Sequence, residues 1–373
     1  MRMKYNVTSL FSWFVIFFYW ANLYRMTGHS DVPYYLIMIF WGGVGLHQMF
    51  INKAFNKPYI YVLFFLYTST SIMNAIVIGN LSLNDLIKNV FLFGITISLF
   101  AFPIKFYQGV ISFYVTVVIF VYFFNSGALT KELLTSSGNY ISVLLILSVC
   151  IYYIGLHNSR KRIGVIDIIP SIACFLLSIW AKGRGGVIST GFLLVLVILA
   201  IVKQNRKEGT KFYKVFRIAI AFTILILLYK SINLVDEFLS IGKFEEQGFD
   251  TPRPFMWASY LSKMIESPIY VFMGAPLNEI PVIHMFENNT HNSFLQLHAL
   301  NGLVMFVFFF YYLFRAIYIY IRNDNMALLV ITLTLVMRGM TDKFIFGQYG
   351  MPIMMFLALY PFVFLRELNT NIE

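Results

Sequence analysis

Polar positions along this chain come in short breaks between long apolar runs. Runs near 8–24, 32–51, 58–79, 89–103, 106–124, 140–156, 164–181, 185–203, 214–233, 292–320, 326–341 and 347–366 each approach the ~20 residues with which a helix crosses a hydrocarbon core. The pattern predicts an all-α, polytopic bundle of about twelve transmembrane helices forming a single membrane domain over 1–373. One stretch interrupts the rhythm. Residues 234–290 carry eight acids against three bases and read as a long external loop facing water. Inside it Pro254 opens a predicted short amphipathic helix, in which Trp257, Tyr260, Leu261, Met264 and Ile265 recur at helical spacing. Such a helix would lie on the outer surface of the bundle or the membrane.

Composition narrows the class. Charged residues make up 12% of the chain, half the ~25% of a soluble domain, while 59% are hydrophobic, and the mean hydropathy is +0.74. That excludes a soluble enzyme, a fibrous protein and a disordered one. The net charge of +11 reads as a topology signal rather than as a nucleic-acid surface. With the amino terminus inside, 17 of the 28 basic residues fall on the cytoplasmic side, including Arg160-Lys161-Arg162 and the cluster from Lys203 to Arg217. Short loops on the other side hold 8, so both termini are expected in the cytoplasm. Cys150 and Cys174 sit inside apolar runs and are expected to pack rather than to pair or bind metal.

Three places on the predicted external side set polar groups where a bundle would prefer apolar ones. Lys182, Arg184, Gly185 and Gly186 form a tight connection before the eighth span, whose exposed amides, positive dipole end and guanidinium outline an anion site. Arg253 lies between Pro252 and Pro254, which position it. Before the tenth span, Thr290 or Asn289 is expected to cap the helix, placing His291 and Asn292 in its first turn with His298 and Asn301 along one face toward a cavity. Arg338, Asp342 and Lys343 form a fourth group, in which Arg338 and Asp342, four apart, can neutralise each other. Each has a plainer reading: a Gly-rich turn with snorkelling cations, a solvated loop Arg, a structural His at a helix end. No HExxH, Walker A, CxxC or GxSxG pattern occurs.

The basic Arg-Gly-Gly turn, the long late loop with its Arg, and His291-Asn292 followed after nine residues by Gly302 resemble the O-antigen polymerase (Wzy) and ligase superfamily. Met305 stands where that family has Gly, Thr or Tyr. The resemblance implies a GT-C-like, metal-independent and cofactor-free glycosyltransferase of the bacterial inner membrane. It would move a glycan from undecaprenyl pyrophosphate onto the next lipid-linked repeat unit at the periplasmic face, with a chain-length regulator as a candidate partner. It further implies that His291, Arg184 and Arg253 are catalytic, and that Lys182, Gly185, Gly186, Asn292, Arg338 and Lys343 bind substrate. An O-antigen ligase acting on lipid A core and a lipid-linked oligosaccharide flippase are the rival expectations.

Overall fold

A computed structural model describes residues 2–51, 58–126, 139–160, 162–205 and 252–369. Every regular element among them is a helix: α1 (Arg2–Met26), α2 (Val32–Phe50), α3 (Pro58–Val77), α4 (Leu83–Ala101), α5 (Phe106–Asn125), α6 (Asn139–Arg160), α7 (Ile169–Trp180), α8 (Arg184–Asn205), α9 (Arg253–Ile265), α10 (Pro268–Met273), α11 (Pro281–His284), α12 (Ser293–Arg322), α13 (Met326–Gly339) and α14 (Met351–Asn369). Six of the described helices, α3, α4, α5, α6, α8 and α12, are long and apolar enough to cross a membrane, and the stretches Val165–Trp180, Met326–Gly339 and Met351–Phe364 are shorter apolar helices. The chain is a multi-pass helical membrane protein. Helices stand at every expected span except 214–233, which lies outside the described residues.

Two boundaries differ from expectation for local reasons. The fourth helix starts at Leu83 rather than near 89, because Ser82 and Asp85 cap it reciprocally: the Ser82 Oγ accepts from the Asp85 amide at 3.2 Å, and the Asp85 carboxylate accepts from the Ser82 amide at 3.1 Å. The polar residues Asp85 and Lys88 thereby join the helix. The seventh span divides into a 3-10 turn, Val165–Ile168, and an α-helix that Pro170 helps to open.

α6 is the axis of the bundle. Nearly all of its membrane-crossing window is buried, and it packs against α5, α7, α8 and α13. A second, smaller apolar cluster sits beside the main core, where Met256 and Tyr260 of α9 meet Ala275, Leu277, Ile280, Ile283 and Ala299 of α12. The predicted loop helix is therefore present at Arg253–Ile265, but it buries Met256 and Tyr260, while Leu261 and Ile265 stay exposed.

What holds this external layer down is polar. The carbonyl of Val271 accepts from His298 Nε2 at 2.8 Å, which leaves Nδ1 to accept from the Tyr260 hydroxyl at 2.7 Å. Asn74 donates to the carbonyls of Met273 and Ala299, Asn80 to those of Ala275 and Ala299, and Asn301 to Ser71 Oγ at 2.7 Å. The face of α12 expected to line a cavity thus grips α3, α9 and α10. A break in α12 makes this possible. Gly302 adopts φ +70° and ψ −175°, and a Cβ there would lie 1.9 Å from the Phe272 carbonyl oxygen. That backbone region is open essentially to glycine alone.

Gly302→Ala should therefore cost on the order of 3 kcal/mol, combining backbone strain with overpacking against α10. Thermal unfolding in detergent, followed by loss of the monodisperse peak, should show a clear fall for Gly302→Ala and little change for Met305→Leu, a volume-conserving swap at a buried site of the same helix.

Candidate active site

The residues singled out in the sequence come together at one end of the bundle, where α6, α8, α9 and α12 begin and α13 ends. Four helix amino termini, each with first-turn amides lacking an intrahelical partner and a positive dipole end, face this region. At its floor lies Arg338, the last basic residue of α13, fully buried. Its guanidinium donates to Asp342 at 3.0 Å, to Thr341 Oγ1 at 2.9 Å and to the Asn139 carbonyl at 3.3 Å, while Nε has no partner among the described residues.

Gly185 lies directly over this guanidinium. A Cβ there would sit 3.1 Å from Arg338 Nη1, so the small residue lets the start of α8 close onto the buried cation. Gly186 faces Ser142 of α6 in the same way, with 2.3 Å to Ser142 Oγ. Both glycines are buried, Gly185 against Arg338 and Gly186 against Ser142. Arg184 is half-buried and opens α8, whereas Lys182 is exposed, with its backbone in the left-handed region at φ +53°.

Arg253 is the first residue of α9, after Pro252 as the cap and before Pro254. Burial lowers its pKa, and the charges of Arg338 and Arg184 push it the same way against the pull of Asp342. Three guanidiniums therefore share one electrostatic field with a single carboxylate.

The start of α12 differs from expectation. Asn292, rather than Thr290 or Asn289, is the cap: its Oδ1 accepts from the amides of Phe294 at 2.9 Å and Leu295 at 3.1 Å. His291 consequently lies outside the helix, in the left-handed region at φ +48°, with its amide donating to Asn289 Oδ1. The displaced register points His291 at Asp342. Nδ1 stands 3.8 Å from Asp342 Oδ1, too long for a hydrogen bond and close enough for strong charge coupling. The Phe286 ring meets the imidazole edge-on at 5.6 Å, so the ring is oriented from two sides.

Asp342 is the hub that sequence reasoning undervalued. Burial would raise its pKa, but Arg338, His291 and Arg253 outweigh that and hold the carboxyl well below the usual carboxylate range. Oδ2 accepts from Arg338, and Oδ1, the oxygen that faces His291, accepts from the Lys343 amide at 2.9 Å. Ser293 also went unnoticed: its hydroxyl donates to the Asp342 carbonyl at 2.6 Å and accepts from the amides of Phe344 and Ile345, stitching the start of α12 to the loop that carries Asp342. Lys343 leaves this cluster for a neighbouring polar cavity of about 210 Å³, lined also by Asp85, Asn89, Glu287 and Gln348. Burial lowers the Lys343 pKa, opposed by Glu287, Asp342 and Asp85.

Chemically, the arrangement offers two guanidiniums for an anion, Arg184 and Arg253, as a cradle above the buried Arg338. Beside it stands an imidazole whose Nδ1 faces a carboxylate, leaving Nε2 for a proton. No group of three His, Cys, Asp or Glu side chains able to hold a metal ion occurs among the described residues. No protein-family model matches the chain, and no curated protein or solved structure is significantly similar to it.

The Arg338–Asp342 pair yields a stability prediction. Asp342→Ala strands a buried guanidinium and should cost about 3–5 kcal/mol, whereas the double change Arg338→Met with Asp342→Leu should recover most of the loss. The folded carboxyl titrates below its unfolded counterpart near pH ~3.9, so the pair's contribution is complete above that value and fades as pH falls through the folded pKa. Melting temperatures in detergent should accordingly show a gap between wild type and Asp342→Asn that is constant from about pH 5 to 8 and narrows only in stronger acid.

Proposed function

We propose that this protein is a repeat-unit polymerase: a metal-independent glycosyltransferase of the O-antigen polymerase kind, moving a glycan from undecaprenyl pyrophosphate to the next lipid-linked unit. The observation that carries the reading is the convergence of Arg184, Arg253 and Arg338 with the His291–Asp342 couple at one end of a membrane-embedded helical bundle. In this reading the acceptor hydroxyl oxygen attacks the anomeric carbon of the donor sugar while the bond from that carbon to the pyrophosphate oxygen breaks. The leaving pyrophosphate takes the electron pair, and the guanidiniums and helix amino termini stabilise its developing charge. The hydroxyl proton passes to His291 Nε2, with Asp342 stabilising the imidazolium across 3.8 Å. A buried Arg338 serves the cradle by fixing Asp342 and the start of α8, and Asn292 serves it by capping α12.

The same reading places the site end in the periplasm, both termini in the cytoplasm, and the whole chain in the bacterial inner membrane as a twelve-span, GT-C-like bundle. Its support is the basic-residue count of the sequence, 17 against 8 over short loops, of which Lys203 and Arg322 lie at the end opposite the site. A transporter would be expected to spread its polar groups along a central path, whereas here they gather at one mouth. Alkaline phosphatase fused near Glu246 should be active and fused near Arg206 inactive. The reverse pattern would sink the catalytic assignment with the topology, since every proposed group would face the cytoplasm.

Arg184→Ala and Arg253→Ala should each abolish long glycan in cells while leaving inserted protein abundant, because one lost donor to the developing charge costs about 2.7–4 kcal/mol, a hundredfold or more in rate. Lysine should rescue poorly, since a point charge does not reproduce the fork. In detergent, purified His291→Ala should bind lipid-linked donor yet turn over about 10²–10⁴-fold more slowly, and wild type should stay active in excess EDTA. Retained turnover in His291→Ala removes the base from the mechanism. Activity lost to chelator and restored by a divalent ion ends the metal-independent scheme.

A further inference from the structure

Between α3 and α4 runs a groove of about 500 Å³ whose open surface is apolar, walled by Ile72, Ala75, Ile76, Leu83, Ile87 and Phe91. Ile72, Ile76, Leu83 and Ile87 are exposed, so the groove opens on the lipid-facing side of the bundle. At its inner end stands Asn89, 2% exposed, with neither amide atom partnered. Thr68, also on the groove, carries an unpartnered hydroxyl. A buried primary amide without partners is costly and calls for an external partner.

Asn89 also lines the polar cavity next to the candidate active site, so one side chain separates the two spaces. The cavity presents Asp85, Glu287 and Gln348 beside Lys343, a mixture of carboxylates and amides that matches the paired hydroxyls of a saccharide better than a bare polyanion. Gly347, at φ +69°, forms the wall beside Asn89 in a backbone conformation that favours glycine. Lys343 lines the same cavity as Asn89 and supplies a cation there. Going inward, the order is hydrocarbon groove, junction amide, then a cavity that sets the Lys343 ammonium beside hydroxyl-matching groups. A chain–phosphate–sugar amphiphile has the same order.

We infer that the α3–α4 groove and the polar cavity joined at Asn89 bind a lipid-linked saccharide, with the chain in the groove, the phosphate at Asn89 and Lys343, and the sugar against Asp85, Glu287 and Gln348. This site is separate from the guanidinium cradle. Its role as the acceptor site, delivering a hydroxyl to His291, rests on the polymerase reading above, in which the cradle holds the donor.

The test is direct binding to the full chain in detergent, using a polyprenyl-phosphate-linked disaccharide, polyprenyl phosphate alone and the free disaccharide. Wild type should hold the complete amphiphile at least about tenfold more tightly than either half. Ala75→Trp fills the groove, Asn89→Leu removes the junction amide, and each should weaken it about tenfold or more, with unchanged melting temperature as the folding control. Arg184→Ala should leave this binding nearly intact. Wild-type affinity in both Ala75→Trp and Asn89→Leu overturns the assignment, as does loss of all binding in Arg184→Ala alone, which would put the amphiphile in the cradle. Glycan transfer is measured separately: binding that follows the groove variants without any transfer by wild type refutes the polymerase reading and leaves the lipid-linked saccharide site standing.

Discussion

A buried guanidinium needs a carboxylate in reach, and Arg338 organises this end of the protein by meeting that need. Because the charge lies at the floor of the bundle, Asp342 must come to it rather than to solvent. The loop after α13 therefore folds inward. That brings Lys343 and the backbone of 344 and 345 under Ser293 and holds the start of α12 in place. On the other flank the guanidinium reaches the Asn139 carbonyl and lies against Gly185, so α6 and α8 begin where it ends. Four chain segments far apart in sequence share one electrostatic anchor.

The external layer depends on a different economy. Its apolar cluster is small, and most of its attachment runs through amide side chains that donate to carbonyls left open by irregular backbone. Buried carbonyls need a donor in place of water, and Asn74, Asn80 and His298 supply it. The layer is consequently held by directional contacts, which fix where Arg253 enters the site. Apolar burial alone, having no direction, would leave it free to slide.

Much of this was legible in the sequence, and the parts that were not share a cause. Helix positions follow apolar runs because length and hydropathy suffice to specify them. The polar turn before α8 and the cation at 253 were legible because Gly and Pro announce backbone geometry. The register at His291 was not, because Asn289, Thr290 and Asn292 are all competent caps and only the contact between Ser293 and the 342 loop selects the last. Asp342 was read as the partner of Arg338, four residues away, which hid its second partner 51 residues upstream. Asn74, Asn80 and Asn89 are isolated amides in or beside apolar runs. Nothing local distinguishes one that grips a carbonyl from one that faces a cavity.

The buried guanidinium also has a consequence for the order in which the protein is made. α6 and α8 are synthesised first, yet the group that reaches the Asn139 carbonyl and packs on Gly185 comes 199 residues after the one and 153 after the other. Until α13 is inserted, the Asn139 carbonyl lacks this donor and the Gly185 notch lacks the group that packs into it, so only water or headgroups can take their place. The site closes last, and a protein interrupted before residue 338 would be an inserted bundle with an open, hydrated funnel in place of the finished cradle.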